Sequence, residues 1–451
     1  MGDRLATHEY TEPKETTMAD GTPGPRTPRI TRRTFLKRAA ATAGVMAGSG
    51  VVIGVPTIWA QKLKEISLLQ VGGSYSAIID IARQATKDLG FTINMQNAAT
   101  DALVNRVATQ PQSLDIADIE YWMPVKLLPR GVLQGIDLHR FRRWEEVVPI
   151  FTRGEYPDGR PVSRQGISPY EVQYLEQPEG KSLAQGPTRW ATLIPTLYNA
   201  DTLGLRPDLV KRPIEHWHEL LSPEFKGRAA LLDVPSIGIM DAAMAIESRG
   251  DLRYADKGNM TPAEIDKTVQ ILIDLKKAGH FRAFWTTFDE SVNLMASGEV
   301  VIQSMWSPAV TAVRARGIPC HYVPLQEGYR AWAVGLGLMA HLKGLKLDAA
   351  YEYLNWYQSG WQGGFIAKQG YYSAVPETAK RFLTADEWDY WYEGKPARRE
   401  ITDPYGHPME PAGHVRDGGS LWERMGRVAC WNTVMDENRH MVRKWNEFVA
   451  A

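Results

Sequence analysis

Cysteine is scarce: only Cys320 and Cys430 occur in 451 residues. That excludes a disulfide-stapled scaffold and a four-thiolate zinc site. An excess of charge is missing too, since 52 Lys+Arg balance 52 Asp+Glu. Without a basic surplus there is no electrostatic footprint for nucleic acid, and without an acidic surplus there is no solvating tail. Catalytic signatures are absent: no G-x-S-x-G, no H-E-x-x-H, no Walker loop and no G-x-G-x-x-G after a strand. No run of 18 apolar residues follows residue 60, so the chain beyond it is expected to be soluble. Hydrophobic residues make up 44% and charged residues 23%, which are globular proportions. The length suits two or three domains at roughly 100–200 residues each. The 15 Trp and 18 Tyr are enough to pack cores and still wall a pocket.

The first sixty residues read as an address. Residues 1–30 are polar, rich in Pro, Gly and Thr, and without hydrophobic period, so they read as a disordered leader. Thr31-Arg32-Arg33-Thr34-Phe35-Leu36-Lys37 follows, then an Ala/Gly/Val stretch from Ala39 to Val55. The paired Arg32 and Arg33 ahead of a modest apolar region read as a twin-arginine export signal, which needs a twin-arginine translocase. The stretch is short, Gly-rich and interrupted by Ser49 and Pro56, which argues against a permanent span. Cleavage near Ala60 would deliver a periplasmic protein. No Cys closes the apolar region, so no lipid anchor is indicated. In that oxidising compartment Cys320 and Cys430 are free to pair if the fold brings them together.

Beyond the leader, strand and helix patterns alternate. Lys64–Val71 reads as a strand, Tyr75 to Leu89 as a helix, Phe91–Gln96 as a strand, Asp101–Thr109 as a helix and Ser113–Ile119 as a strand. This order implies a parallel sheet with covering helices. Residues 152–187 read as loop. Trp190–Tyr198, Ala229–Leu232 and Glu299–Met305 are strand candidates. Thr261-Pro262-Ala263-Glu264 is a capping box with proline at the first helical position. After about residue 378 the chain is helical and aromatic, with a polar loop at 394–419.

Four local patterns invite chemistry. His216-Trp217-His218 is the one metal-like cluster, but on a helix residues i and i+2 point apart, so no metal is expected there. Asp289-Glu290 suits a helix N-terminus. Gly335-x-Gly337 lacks the third glycine of a nucleotide loop and reads as a tightly packed strand. Ser236 is placed to cap a helix at about 239–247, whose free amides would suit a carboxylate or phosphonate.

Several segments, in order, resemble the extracellular solute-binding proteins of ABC importers, in the spermidine/putrescine-binding (family 1-like) group. Trp217 to Asp233 looks like that group's W-x-x-L-x-x-P-x-(F/Y)-K-G-(R/K) run into a strand. Trp190–Asn199 resembles its first crossing strand. Ser297-Gly298-Glu299-Val300 with Met305-Trp306, Glu327-Gly328 with Trp332, and Gly370-Tyr371-Tyr372 to Pro376 resemble its later motifs. The resemblance covers about residues 65–380.

It implies a type II periplasmic binding protein fold: two α/β lobes with a hinge and a central ligand cleft. Residues 61–195 and 307–331 would form lobe one. Residues 196–306 and 332–451, including a helical C-terminal extension, would form lobe two. The implied function is capture of a small solute and delivery to an ABC permease in the inner membrane, with no catalysis and no cofactor. By position, the group's ligand residues fall on Tyr75, Glu120 followed by Trp122, and Trp306. Trp332 and Tyr372 are further wall candidates, and Asp233 and Ser236 are polar ones. Three positions where the group places acids hold Ala309, Ser236 or Ile237, and Val334. Fewer acids leave fewer anchors for a full polyamine, so the expected solute is small and amine-containing, polyamine-like or zwitterionic. The alternatives are a sugar or polyol stacked on the Trp residues, or an exported metalloenzyme using His216 and His218.

Overall fold

The computed structural model describes residues 64–73, 78–179 and 181–451. The export signal with Arg32 and Arg33, and the pocket candidate Tyr75, lie outside these residues.

The first third folds as β1 (Ser67–Gly72), α1 (Ile79–Leu89), β2 (Thr92–Asn97), α2 (Thr100–Thr109) and β3 (Ile116–Glu120). β1 runs parallel to both β2 and β3. In α1, Ile81, Ala82 and Ala85 turn inward, and Gly90 ends the helix at φ 80°, a conformation that costs glycine little. β3 is buried along its whole length, as expected for a parallel strand covered on both faces. Residues 152–187 are largely irregular, with only short turns and the two-residue strand Tyr174–Leu175.

A twelve-residue strand follows, β4 (Ile194–Leu205), buried at every position. Then come β5 (Ala229–Leu232), α3 (Pro235–Arg249), α4 (Pro262–Lys277), β6 (Phe281–Trp285), α5 (Phe288–Ser297), β7 (Ile302–Met305) and α6 (Ser307–Ala315). Both helix starts read from acidic residues are capping boxes, at Thr261/Glu264 and Thr287/Glu290. The chain returns through β8 (Tyr329–Met339), α7 (Gly344–Tyr357), β9 (Tyr372–Ser373), β10 (Val428–Trp431) and α8 (Asn438–Ala450).

The strands form one path, β6-β5-β7-β4-β8-β3-β1-β2. Each end is a parallel three-strand set, and β4 and β8 join them by antiparallel pairing. Two α/β lobes therefore share two long crossing strands. Gly335 shows how closely the strands lie: a Cβ there would sit 2.9 Å from the Ile194 carbonyl oxygen. Gly335-x-Gly337 is a packed strand, as its pattern suggested.

Two expectations need correction. α6 packs on α5 of lobe two, and α7 packs on α1 and β1 of lobe one. The expectation puts residues 307–315 in lobe one and residues 344–357 in lobe two; these two helices lie the other way round, whereas the C-terminal helix 438–450 does pack on lobe-two helices. The reason is the crossing strand β8, which carries the chain back to β3 before α7 forms. Second, α3 begins at Pro235, and its N-cap is Val234 with no side-chain cap bond, so Ser236 lies inside the first turn. The pairing left open by the sequence is not made: Cys320 and Cys430 are both free and buried, in different apolar clusters.

The C-terminal segment is integral. β10 pairs in parallel with β8. α8 packs on α4 and α3. Arg314 of α6 pairs with Glu410 and Asp417.

Candidate functional site

The β3 sequence Ile-Ala-Asp-Ile-Glu places Asp118 and Glu120 two apart, hence on one face of a buried strand. Glu120 stands opposite Val334 of β8, Arg330 opposite Asp201 of β4, and Trp332 opposite Asn199. Strand alternation puts all these side chains on the same face of the central sheet.

Glu120 is held by neutral donors. Trp122 Nε1 donates to it at 2.8 Å and Thr100 Oγ1 at 3.2 Å. Burial raises its pKa, while the bonds from Trp122, Thr100 and Asn432 and the charge of Arg330 oppose the rise. Asp118 is 1% exposed, and among the described residues neither carboxyl oxygen has a hydrogen-bond partner. Burial, then the neighbouring Glu120, pushes its carboxyl well above the ordinary range. Gln70, Tyr353 and Tyr357 lie on the same side, and Tyr353 donates to Gln70 Oε1 at 2.7 Å.

Next along the face is a buried ion cluster. Arg330 Nε donates to Asp241 of α3 at 2.7 Å, Arg330 also donates to Asn432 at 2.8 Å, and Asp201 lies 3.4 Å away. Burial pushes the Asp201 carboxyl up to about 6, with Asp241 adding to the rise and Arg330 opposing it. Asp241 is also raised by burial. Three buried carboxyl groups, Glu120, Asp201 and Asp241, thus share the charge of Arg330. Asp118, Asp201, Asp241 and Arg330 had not been singled out. Polar residues at i and i+2 in an otherwise apolar strand were the available signal for Asp118.

The structure unites some of the expected site residues and separates others. Glu120 and Trp122 bond directly. Trp306 is the residue before α6 and lies edge-on to Trp285, centroids 4.8 Å apart. Trp122, Trp306 and Tyr372 adjoin one apolar cluster, whereas Trp332 packs on another and meets Tyr371 edge-on at 5.9 Å. Tyr372 pairs with Tyr198, which stands opposite Ala333, so it occupies the sheet face away from Glu120 and Trp332. Its ring lies under Arg416, 4.6 Å away. Asp233 accepts the indole N–H of Trp445 at 2.6 Å. Ser236 is half-buried at the start of α3. The His216–His218 expectation fails on geometry: His216 is extended and precedes the short helix Trp217–Leu221, so the two rings stack instead of diverging.

Paired parallel-sheet lobes on shared crossing strands define a two-lobed binding protein of the periplasmic type. The chain belongs to the bacterial extracellular solute-binding protein family, whose pattern it matches over residues 80–391. Among curated protein sequences there is no significant match. Solved structures share the fold at low identity. The Tp0655 (TpPotD) lipoprotein of Treponema pallidum is 12% identical, with 85% of this chain and 99% of that one covered and a TM-score of 0.60. The spermidine/putrescine-binding protein PotD of Streptococcus pneumoniae is 15% identical, with 85% and 97% covered and a TM-score of 0.56. MotA of A. tumefaciens B6, solved with glucopine, is 12% identical, with 85% and 99% covered and a TM-score of 0.53. No helix among the described residues is long and apolar enough to cross a membrane.

Proposed function

We propose that this chain is the periplasmic substrate-binding protein of an ABC importer and captures a small amine-containing solute, polyamine-like or zwitterionic. The observation that carries the reading is the surplus of buried carboxyl groups on the β3 face. Among the described residues Asp118 has no hydrogen-bond partner, and Glu120 receives hydrogen bonds from Trp122 and Thr100 and forms no ion pair. An ammonium group supplies the missing charge and donors, and the Trp122 indole offers an aromatic wall beside it. The spermidine/putrescine name of a similar structure agrees with this chemistry. Closure of the lobes about β4 and β8 would then present the loaded form to a membrane permease.

Calorimetry with spermidine, putrescine, amino acids, betaines and sugars tests the solute class. An amine hit that Glu120→Gln weakens at least tenfold supports the reading. A sugar hit, or an amine hit indifferent to Glu120→Gln, overturns it. Export by the twin-arginine pathway is part of the same proposal. Arg32→Lys combined with Arg33→Lys should leave precursor in the cytoplasm, and normal export of that variant would sink it.

A further inference from the structure

The segment His216-Trp217-His218 has an arrangement that solute binding does not use. His216 has φ −133° and ψ 149°, while Trp217–Leu221 turns as a short helix. The change from extended to helical backbone between the two histidines swings both side chains to one side. Their rings stack 5.2 Å apart with 20° between planes.

Both rings are held by the same nitrogen. His216 Nδ1 meets Glu327 Oε1 at 2.8 Å, and His218 Nδ1 meets Ser248 Oγ at 3.0 Å. Ser248 Oγ donates to Glu327 Oε1 at 2.6 Å, and Glu327 Oε2 accepts the Trp217 N–H at 3.1 Å. A carboxylate only accepts, so His216 carries its proton on Nδ1. Ser248 spends its one proton on Glu327, so His218 also donates from Nδ1. Each neutral imidazole therefore keeps its lone pair on Nε2, and neither Nε2 has a protein partner among the described residues. Since both Nδ1 atoms converge on Glu327 and Ser248, both Nε2 atoms face away from that pair, side by side.

A carboxylate that fixes the tautomer of a metal-binding histidine through its other nitrogen is a recurrent second layer of metal sites. A nitrogen of each ring and an oxygen of Glu327 lie within 4.8 Å of one another. The His216 side chain is 36% exposed, which leaves water room to complete a coordination shell. Ligand nitrogens sit about 2.0–2.1 Å from zinc, so the two ring tips would have to close on one ion for both to bind it.

We propose that His216 and His218, oriented by Ser248 and Glu327, bind one divalent transition-metal ion of the Zn2+, Ni2+ or Cu2+ class through their Nε2 atoms. The ion would clasp the extended residue His216 to the Trp217–Leu221 helix, while Glu327 on the turn into β8 holds His216 from its other side. The site is separate from the carboxyl face of β3 and does not depend on the solute reading.

The test is titration of the full-length chain with ZnCl2, NiCl2 and CuCl2 by calorimetry, with electron paramagnetic resonance on the Cu2+ form. One tight ion per chain with nitrogen coordination is expected. His218→Ala and His216→Asn should each weaken it at least tenfold, and Ser248→Ala by a few-fold. The metal-free melting temperatures of these variants control for folding. No binding, or binding unchanged when both histidines are replaced, overturns the proposal.

Discussion

Trp445, near the C-terminus, donates its indole N–H to Asp233 at 2.6 Å, across 212 residues of sequence. The bond seats α8 against the loop between β5 and α3. Packing reinforces it, because a Cβ added at Gly238 would come within 2.6 Å of the Trp445 ring. The C-terminal extension is thus part of what shapes the start of α3. Trp445→Phe keeps most of the ring and removes the donor. It should cost about 1–2 kcal/mol, the scale of a part-exposed hydrogen bond to a carboxylate. Urea denaturation measures this, and an unchanged midpoint would show that the bond adds nothing to the packing.

Asp118 carries a burial cost that no hydrogen-bond partner among the described residues offsets. Its folded pKa lies above the unfolded value, so the native state holds the proton longer. Its contribution is most favourable at low pH and is lost as pH rises above the unfolded value near 4. Asp118→Asn replaces the carboxyl by a neutral group of the same shape. The solute-free protein should gain about 1–3 kcal/mol at pH 7. Thermal melting at pH 4 and pH 7 checks it: the gain should appear at pH 7 and shrink at pH 4. A loss at pH 7 would mean that the charged carboxylate is supported in the native state.

Much of the lobe architecture was legible in the sequence because it is written locally. The β-α-β-α-β pattern over residues 64–119 shows in hydrophobic period, and the capping boxes at Thr261 and Thr287 show in four-residue motifs. The acid-rich face was not legible, because its partners are distant in sequence. Arg330 meets Asp241 across 89 residues and Asn432 across 102. The placement of α7 was missed because a strand pattern at Tyr329–Met339 does not say that β8 crosses from one lobe to the other. The histidine pair was misread because helical spacing was applied to His216, whose backbone is still extended.

Asp201 gives the pH dependence a second, separable source. Its carboxyl is pushed up to about 6 by burial and by Asp241, against the pull of Arg330. The native state therefore binds a proton between about pH 4 and 6 that the unfolded chain has already lost, so stability falls as pH rises through that window. The fall attributable to this group is about 2–3 kcal/mol, at about 1.4 kcal/mol per pH unit. Asp201→Asn should flatten that part of the stability curve even if it lowers the whole curve by weakening the Arg330 cluster. Chemical denaturation at half-unit pH steps distinguishes slope from offset. An unaltered slope would remove Asp201 from the pH response.

Trp306 separates binding from packing. It is half-buried before α6, with its ring edge-on to the fully buried Trp285. A residue serving only the core would cost about 3–5 kcal/mol on truncation to alanine, as large buried aromatics do. A half-buried ring that faces solute costs less in the empty protein and more in the complex. Trp306→Ala is expected to lower the melting temperature of the solute-free form by no more than a few degrees and to weaken amine binding tenfold or more, about 1.4 kcal/mol. Calorimetry on the solute found for the parent chain, beside melting of both empty proteins, gives the two numbers together. A large loss of empty-state stability with affinity intact would assign Trp306 to the interior and leave Trp122 as the aromatic neighbour of Glu120.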